Sequence, residues 1–265
     1  MKLVAAAKFA RANTAVVSAR PYGNAFDALV ARLSASAGEL DIPLMRQRAE
    51  KKSLVVVVAT DRGFCGSLNS NEFKFALRKM NELTDKGVDF QCVGWGRRAG
   101  QFLKKFASDK IYSTKEKVLD APTYENADAL AQYLIADFLD EKFDRIYLVY
   151  NRFQSALSQE PQMLQLLPVV AAASAEGEQT NGDLITEPSL EDLIENLLAK
   201  QVSSRLHRCL LEGAASEHGS RMTAMDSATT NAEEVVKKLK VEYNRARQAS
   251  ITKELIEITS GAEAL

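Results

Sequence analysis

Along the first forty positions the apolar and small residues recur at alternating steps of four and three: Ala5, Phe9, Ala12, Val16, Ala19, Gly23, Phe26, Val30, Leu33, Ala37 and Leu40. That spacing puts all of them on one stripe of an α-helix and predicts a heptad seam that lies along a second helix. Pro21 removes one backbone hydrogen bond and should bend the helix near Val17; Gly38 and Pro43 should end it. A second stripe of the same period occupies the other end of the chain. There Met222, Met225, Thr229, Ala232, Val236, Leu239, Tyr243, Ala246 and Ser250 keep the heptad, which then slips to Ile251, Leu255, Ile258 and Ala262. No proline follows Pro188, and Gly261 is the only glycine from Arg221 to Leu265, so little interrupts this helix. Two heptad helices at opposite ends of one chain are most simply satisfied by packing antiparallel on each other. Small seam residues, Ala5, Ala12, Ala19 and Gly23 against Ala232, Ala246 and Ser250, predict a close approach and a thin rod.

Between the two helices the pattern changes. Short apolar runs alternate with helical periods, which predicts an α/β body inserted into a helical hairpin. Leu54–Ala59 reads as a strand buried on both faces, Val88–Trp95 as a second, Lys110–Tyr112 as a short third and Asp144–Tyr150 as a fourth. Gln162–Val170, interrupted by Pro168, reads as an edge strand. Helices are expected over Asn71–Leu83, Arg97–Phe106 and Tyr124–Leu139. A further helix is expected from a Ser189 cap to about Leu211, with Gly213 and Gly219 between it and the tail. The expected fold class is therefore α/β: a long antiparallel coiled coil of the N- and C-terminal helices with an inserted small, mostly parallel, Rossmann-like domain. The boundaries are 1–50 for the first coiled-coil helix, 51–175 for the α/β domain, 176–188 for a linker and 189–265 for the C-terminal helical segment.

Composition narrows the function classes. The formal net charge of −1 and an aromatic content of 7% give no basic field and few stacking platforms, so nucleic acid is not an expected partner. Charge is locally uneven: residues 1–50 carry seven basic and four acidic side chains, and residues 176–200 carry seven acidic and one basic. In the tail, seven of each sign from residue 221 onward lie mostly off the stripe, the pattern of a solvated helix face. Cys65, Cys92 and Cys209 have no CxxC spacing and read as reduced thiols. No run of 18 apolar residues occurs, so any link to a membrane is expected to go through a partner.

Motifs that carry chemistry are few. Gly94-Trp95-Gly96-Arg97-Arg98-Ala99 formally fits the dinucleotide fingerprint, but Trp95 would crowd the turn where backbone must meet pyrophosphate, which favours a plain strand-to-helix turn. Asp61-Arg62-Gly63-Phe64-Cys65-Gly66 lacks the Gly-Lys-Ser/Thr of a phosphate loop. His207, Cys209 and His218 would need a convergent geometry to hold zinc. With two histidines and no nucleophile elbow, acyl transfer and glycoside hydrolysis have no visible machinery.

Four blocks together resemble one family. Met1-Lys2-Leu3-Val4-Ala5-Ala6-Ala7-Lys8, Ala59-Thr60-Asp61-Arg62-Gly63-Phe64-Cys65-Gly66, the run from Ser220 through Arg221-Met222-Thr223-Ala224-Met225 to Ala232, and the run from Tyr243 through Arg247-Gln248-Ala249-Ser250-Ile251-Thr252 to Ala262 are similar to the γ subunit of rotary ATP synthases. The resemblance covers nearly the whole chain. It implies a central shaft whose helical pair is threaded through the hexamer of α and β subunits, with the α/β body below, against the ε subunit and the membrane ring of c subunits. It implies no catalytic site, cofactor or metal of the chain's own. The family's contacts to the catalytic subunits carry over onto Arg221, Gln248 and Thr252, with Arg247 beside them, and Met1 matches a methionine near the neck of the rod. Some twenty residues that precede this Met1 motif in the family are absent, which implies a start assigned too late or a shortened first helix. The body has no inserted segment with a closely spaced cysteine pair, unlike the plastid form, and Thr186-Glu187-Pro188-Ser189 resembles the bacterial form. The implied location is the cytoplasmic side of a bacterial inner membrane, peripheral to it, with the matrix side of the mitochondrial inner membrane as the alternative.

Overall fold

The computed structural model describes residues 1–36, 41–170 and 190–263. The expected helix end at Gly38, the seam positions Ala37 and Leu40, the 176–188 linker and the Ser189 cap lie outside the described residues. The elements follow in the order α1 (Lys2–Ser36), β1 (Lys52–Val58), α2 (Leu68–Asp85), β2 (Asp89–Trp95), α3 (Arg97–Phe106), β3 (Ile111–Lys115), α4 (Tyr124–Leu139), β4 (Arg145–Phe153), β5 (Gln159–Leu167) and α5 (Leu190–Glu263). The chain divides into a unit from Met1 to Thr223 and a second from Ala224 to Leu265.

In the first unit the five strands form one sheet in the order β3-β2-β1-β4-β5. The β1–β2, β2–β3 and β1–β4 pairs are parallel, and only β5, at the edge, runs antiparallel to β4. The valine run of β1 explains its central place. Leu54, Val56 and Val58 enter the core under α4 and α5, while Val55 and Val57 enter the one under α2 and α3. A strand covered on both faces needs apolar side chains at odd and even positions alike. β2 and β3 lie to one side of β1, and β4 lies to the other. The carboxyl ends of β1 and β4 therefore flank the point where strand order reverses, which is where open α/β sheets hold ligands.

α1 keeps the predicted seam. Ala5, Val16, Gly23, Val30 and Leu33 are buried, and Pro21 lies inside the helix without ending it. Its partner is the first part of α5, and the pair is antiparallel. Asp27 bonds Arg205 at 3.0 Å and Arg208 at 3.3 Å, Arg20 faces Glu212 at 4.0 Å, and Val16 packs with Leu211 and Ala215. The hairpin is present, and α1 from Phe9 to Asp27 is met by α5 between Arg205 and Gly219. Gly213 and Gly219 do not break α5. A glycine inside a helix costs about 1 kcal/mol, and here the missing side chain is what permits close packing. A Cβ on Gly219 would lie 3.2 Å from Phe9 and 3.3 Å from the backbone of Ala156.

The second unit is helix throughout its described residues, and from Asp226 to Ala262 its residues are exposed. Leu239 is 56% and Tyr243 66% accessible, and Val236, Ile251, Leu255 and Ile258 are similar. Its apolar stripe has the heptad period, but from Thr229 onward it is exposed.

Candidate functional site

The carboxyl end of β1 runs into the turn 61–66, which sits at the reversal point of the sheet. Asp61 organises this end. Its carboxylate accepts the backbone N–H of Arg97 at 2.9 Å, in the first turn of α3, and that of Lys117 at 3.0 Å. The N-terminus of a helix attracts anions because its first N–H groups are unpaired and its dipole is positive there. At α3 that place is held by the protein's own carboxylate. Gly96 has φ 96°, and a Cβ on it would lie 1.9 Å from the Ala59 carbonyl oxygen, so glycine is required for the β2–α3 turn to close on β1. The Gly94–Ala99 sequence is thus a tight strand-to-helix turn, as its Trp95 suggests.

α5 covers the same end of the sheet. Ser220 Oγ donates to the Cys65 carbonyl at 2.7 Å and Arg221 Nε to the Gly63 carbonyl at 3.3 Å. Ser216 Oγ donates to the carbonyl of Asn151, on β4, at 3.2 Å, and Thr223 Oγ1 lies 3.4 Å from the Ala156 carbonyl in the β4–β5 turn. Behind them Asn151 Nδ2 donates to the buried carboxyl of Glu72 on α2. Burial raises the Glu72 pKa well above the ordinary carboxylate range, against the pull of that bond. Glu217 accepts from Arg221 Nη2 at 2.7 Å, one helical turn away, yet burial still shifts its pKa upward. His218 is held down to about 4, first by burial and then by the charges of Arg221 and Lys8, so a neutral ring faces the guanidinium of Arg221 at 3.4 Å.

The residues expected to meet partners fall in both units. Arg221 is half-buried and engaged by Glu217, His218 and Gly63. Met1 is 90% exposed. Arg247, Gln248 and Thr252 are exposed in the second unit, where the i, i+4 spacing puts Gln248 and Thr252 on one face and Thr252 Oγ1 donates to the Gln248 carbonyl at 2.8 Å. The three side chains imagined as metal ligands do not converge. His207 Nε2 meets the Pro122 carbonyl at 3.0 Å, Cys209 is buried in the core and His218 lies beside Arg221. Among the described residues no group of three His, Cys, Asp or Glu could hold a metal ion, and no helix is long and apolar enough to cross a membrane.

Sequence reasoning missed Ser216, Gly219, Ser220 and Thr223. Their i, i+3, i+4, i+7 spacing was visible, but the glycines were read as a break in the helix.

The described fold and this end of the sheet can be set beside known proteins. The family model for ATP synthase matches residues 1–265. The ATP synthase gamma chain of Geobacter metallireducens is 43% identical over 265 residues, which cover all of this chain and 91% of that one. That of Anaeromyxobacter dehalogenans is 43% identical over 270 residues, 100% of this chain and 92% of the relative. The chain belongs to the ATP synthase gamma-chain family. Solved structures agree in fold. The central stalk and c-ring structure of the Tetrahymena thermophila mitochondrial ATP synthase contains a chain that superposes with a TM-score of 0.64 at 23% identity, over 86% of this chain and 97% of that one. A chain of the Euglena gracilis mitochondrial ATP synthase, in an OSCP/F1/c-ring structure, gives 0.60 at 18% identity, over 98% and 95%. The gamma-chain fold is therefore the α/β body with its flanking helical pair described above.

Proposed function

We propose that this gamma chain is the rotor shaft that couples proton flow through a membrane ring of c subunits to ATP synthesis in a hexamer of α and β subunits, without a catalytic site of its own. The observation that carries this reading is the second unit: a helix with a regular apolar stripe that its own chain leaves exposed. Such a stripe calls for a surrounding protein surface. An asymmetric rod inside a ring of similar subunits contacts each of them differently and so holds them in different conformations. Turning the rod exchanges those states, and the coupling is reciprocal by thermodynamic linkage.

Within this reading Arg247, Gln248 and Thr252 face the catalytic subunits. The guanidinium of Arg247 suits a two-point contact with a partner carboxylate. Arg221 adds a contact from a position fixed by Glu217 and Gly63, and Met1 marks the neck of the rod. The α/β body faces the ε subunit and the c-ring. The chain then lies on the cytoplasmic side of a bacterial inner membrane and is attached to it only through these partners.

The test is reconstitution. Hexamer subunits assembled with this chain should hydrolyse ATP several times faster than without it. A complex carrying Gln248→Leu and Thr252→Val should lose coupled synthesis about tenfold, the effect of one or two lost contacts near 1 kcal/mol each. No stimulation by the unaltered chain would leave a static scaffold as the better account, and unchanged synthesis in the double variant would refute the placing of the contact.

A further inference from the structure

The proposed shaft must pass torque between its α/β body and its long helix, and the apolar contact between them is poorly suited to that task. Ile194, Leu198, Val202, Leu206 and Leu210 of α5 lie in the core under the sheet, but apolar burial is non-directional. It resists separation far better than rotation of a helix about its own axis. Hydrogen bonds are directional, and they weaken steeply when their angles are disturbed.

We propose that Ser216, Gly219, Ser220 and Thr223 form a torsional latch that fixes the rotational setting of α5 against the α/β body. Ser220 and Ser216 donate to carbonyl oxygens at two places on the body, Cys65 in the turn after β1 and Asn151 on β4, while Thr223 Oγ1 donates to the Gly219 carbonyl of its own helix at 3.1 Å and lies 3.4 Å from the Ala156 carbonyl in the β4–β5 turn. Gly219 admits Phe9 of α1 and the Ala156 backbone to the same stripe. Successive residues of a helix are about 100° apart around its axis, so a slip by one residue would carry every donor away from its acceptor together. Acceptors at two separate places on the same rigid sheet, the turn after β1 and the end of β4, define an angle, as a single bond would not. Asn151, which offers its carbonyl to Ser216, is itself held through its side chain by Glu72 of α2. The latch also ends where the packed unit ends, since Thr223 is the last residue of that unit. It occupies the reversal point of the sheet, so a place that could have held a ligand holds the shaft's own helix.

The inference rests on the rotor reading, and its test separates the two. The complete synthase, with this chain or its Ser216→Ala/Ser220→Ala/Thr223→Val variant, is reconstituted in lipid vesicles. ATP hydrolysis and ATP-driven proton uptake are then read in the same sample. The variant should hydrolyse ATP within about twofold of the parent while protons moved per ATP fall about threefold or more, the change expected from several lost bonds of modest net strength. Ser220→Thr, which keeps the hydroxyl, should retain the parent ratio. Should the triple variant fail to assemble, Ser220→Ala and Ser216→Ala singly should each lower the ratio in the same direction. An unchanged ratio in assembled variants overturns the latch alone. Failure of the parent chain to support hydrolysis overturns the rotor reading and the latch together.

Discussion

The two parts of α5 use one kind of pattern to opposite ends. From Ile194 to Leu211 the apolar positions are buried against the sheet and α1, and the polar ones that follow are tied to named carbonyls. Beyond Met225 the stripe keeps the heptad to Ser250, and its large side chains are exposed. Periodicity records that a helix has a face; it does not record whether the partner belongs to the same chain. The difference lies in what else the sequence supplies. The first part has a β-sheet and a second helix within reach, and it uses glycine and serine to approach them.

The largest test of this contrast substitutes the same charge in each part. Leu206→Asp would put an unpaired carboxylate into a fully buried position and should lower the stability of the isolated chain by more than about 4 kcal/mol. Leu239→Asp, on an exposed position, should change it by less than about 0.5 kcal/mol. Urea unfolding followed by the fluorescence of Trp95, the only tryptophan, measures both. Equal effects would erase the distinction between the two units.

Glycines give the next contrast. Gly96→Ala meets both a positive φ and the Ala59 carbonyl, so the first unit should lose on the order of 3 kcal/mol. Gly261 has nothing within 4 Å of an added Cβ, and Gly261→Ala should be neutral or stabilise the helix by up to about 1 kcal/mol. Helical content by circular dichroism and the unfolding midpoint would separate these outcomes.

The smallest expected effects concern pH. His218 has its pKa lowered to about 4 in the folded chain, below its unfolded value of 6.5. The unfolded state therefore binds more protons between those values, and its contribution to stability is full above pH 6.5 and lost as pH falls toward 4. His218→Gln should flatten the stability profile in that window. Glu72 is shifted the other way, so its contribution is lost as pH rises through its elevated pKa. Glu72→Gln should keep the Asn151 bond and flatten the fall in stability as pH rises above 4.5. Comparable slopes in parent and variants across these windows would remove both groups from the account.

Much of the molecule was legible because its patterns are local. The boundaries of α3 and α4 match their predicted spans, and the valine run of β1 announced a strand covered on both faces. The α1 seam was readable from Ala5 to Leu33. Its antiparallel partner at the other end of the chain was readable too, but the continuity of α5 was not, because two glycines that admit close neighbours have the same letters as two glycines that end a helix. The polar stripe was hidden for a related reason: its acceptors are backbone carbonyls, which every residue carries and no sequence pattern marks. Gln248 and Thr252 are proposed as contacts only through family resemblance, since an exposed amide and hydroxyl carry no physical signature of a binding site.

Asp61 has a consequence of another kind. Its negative charge sits where α3 offers its N–H groups, so a nucleotide phosphate arriving there would meet repulsion and find the donors taken. For a chain proposed to turn among subunits that bind and release ATP, that is a form of local chemical deafness: a built-in carboxylate keeps this one helix end from competing for its neighbours' substrate.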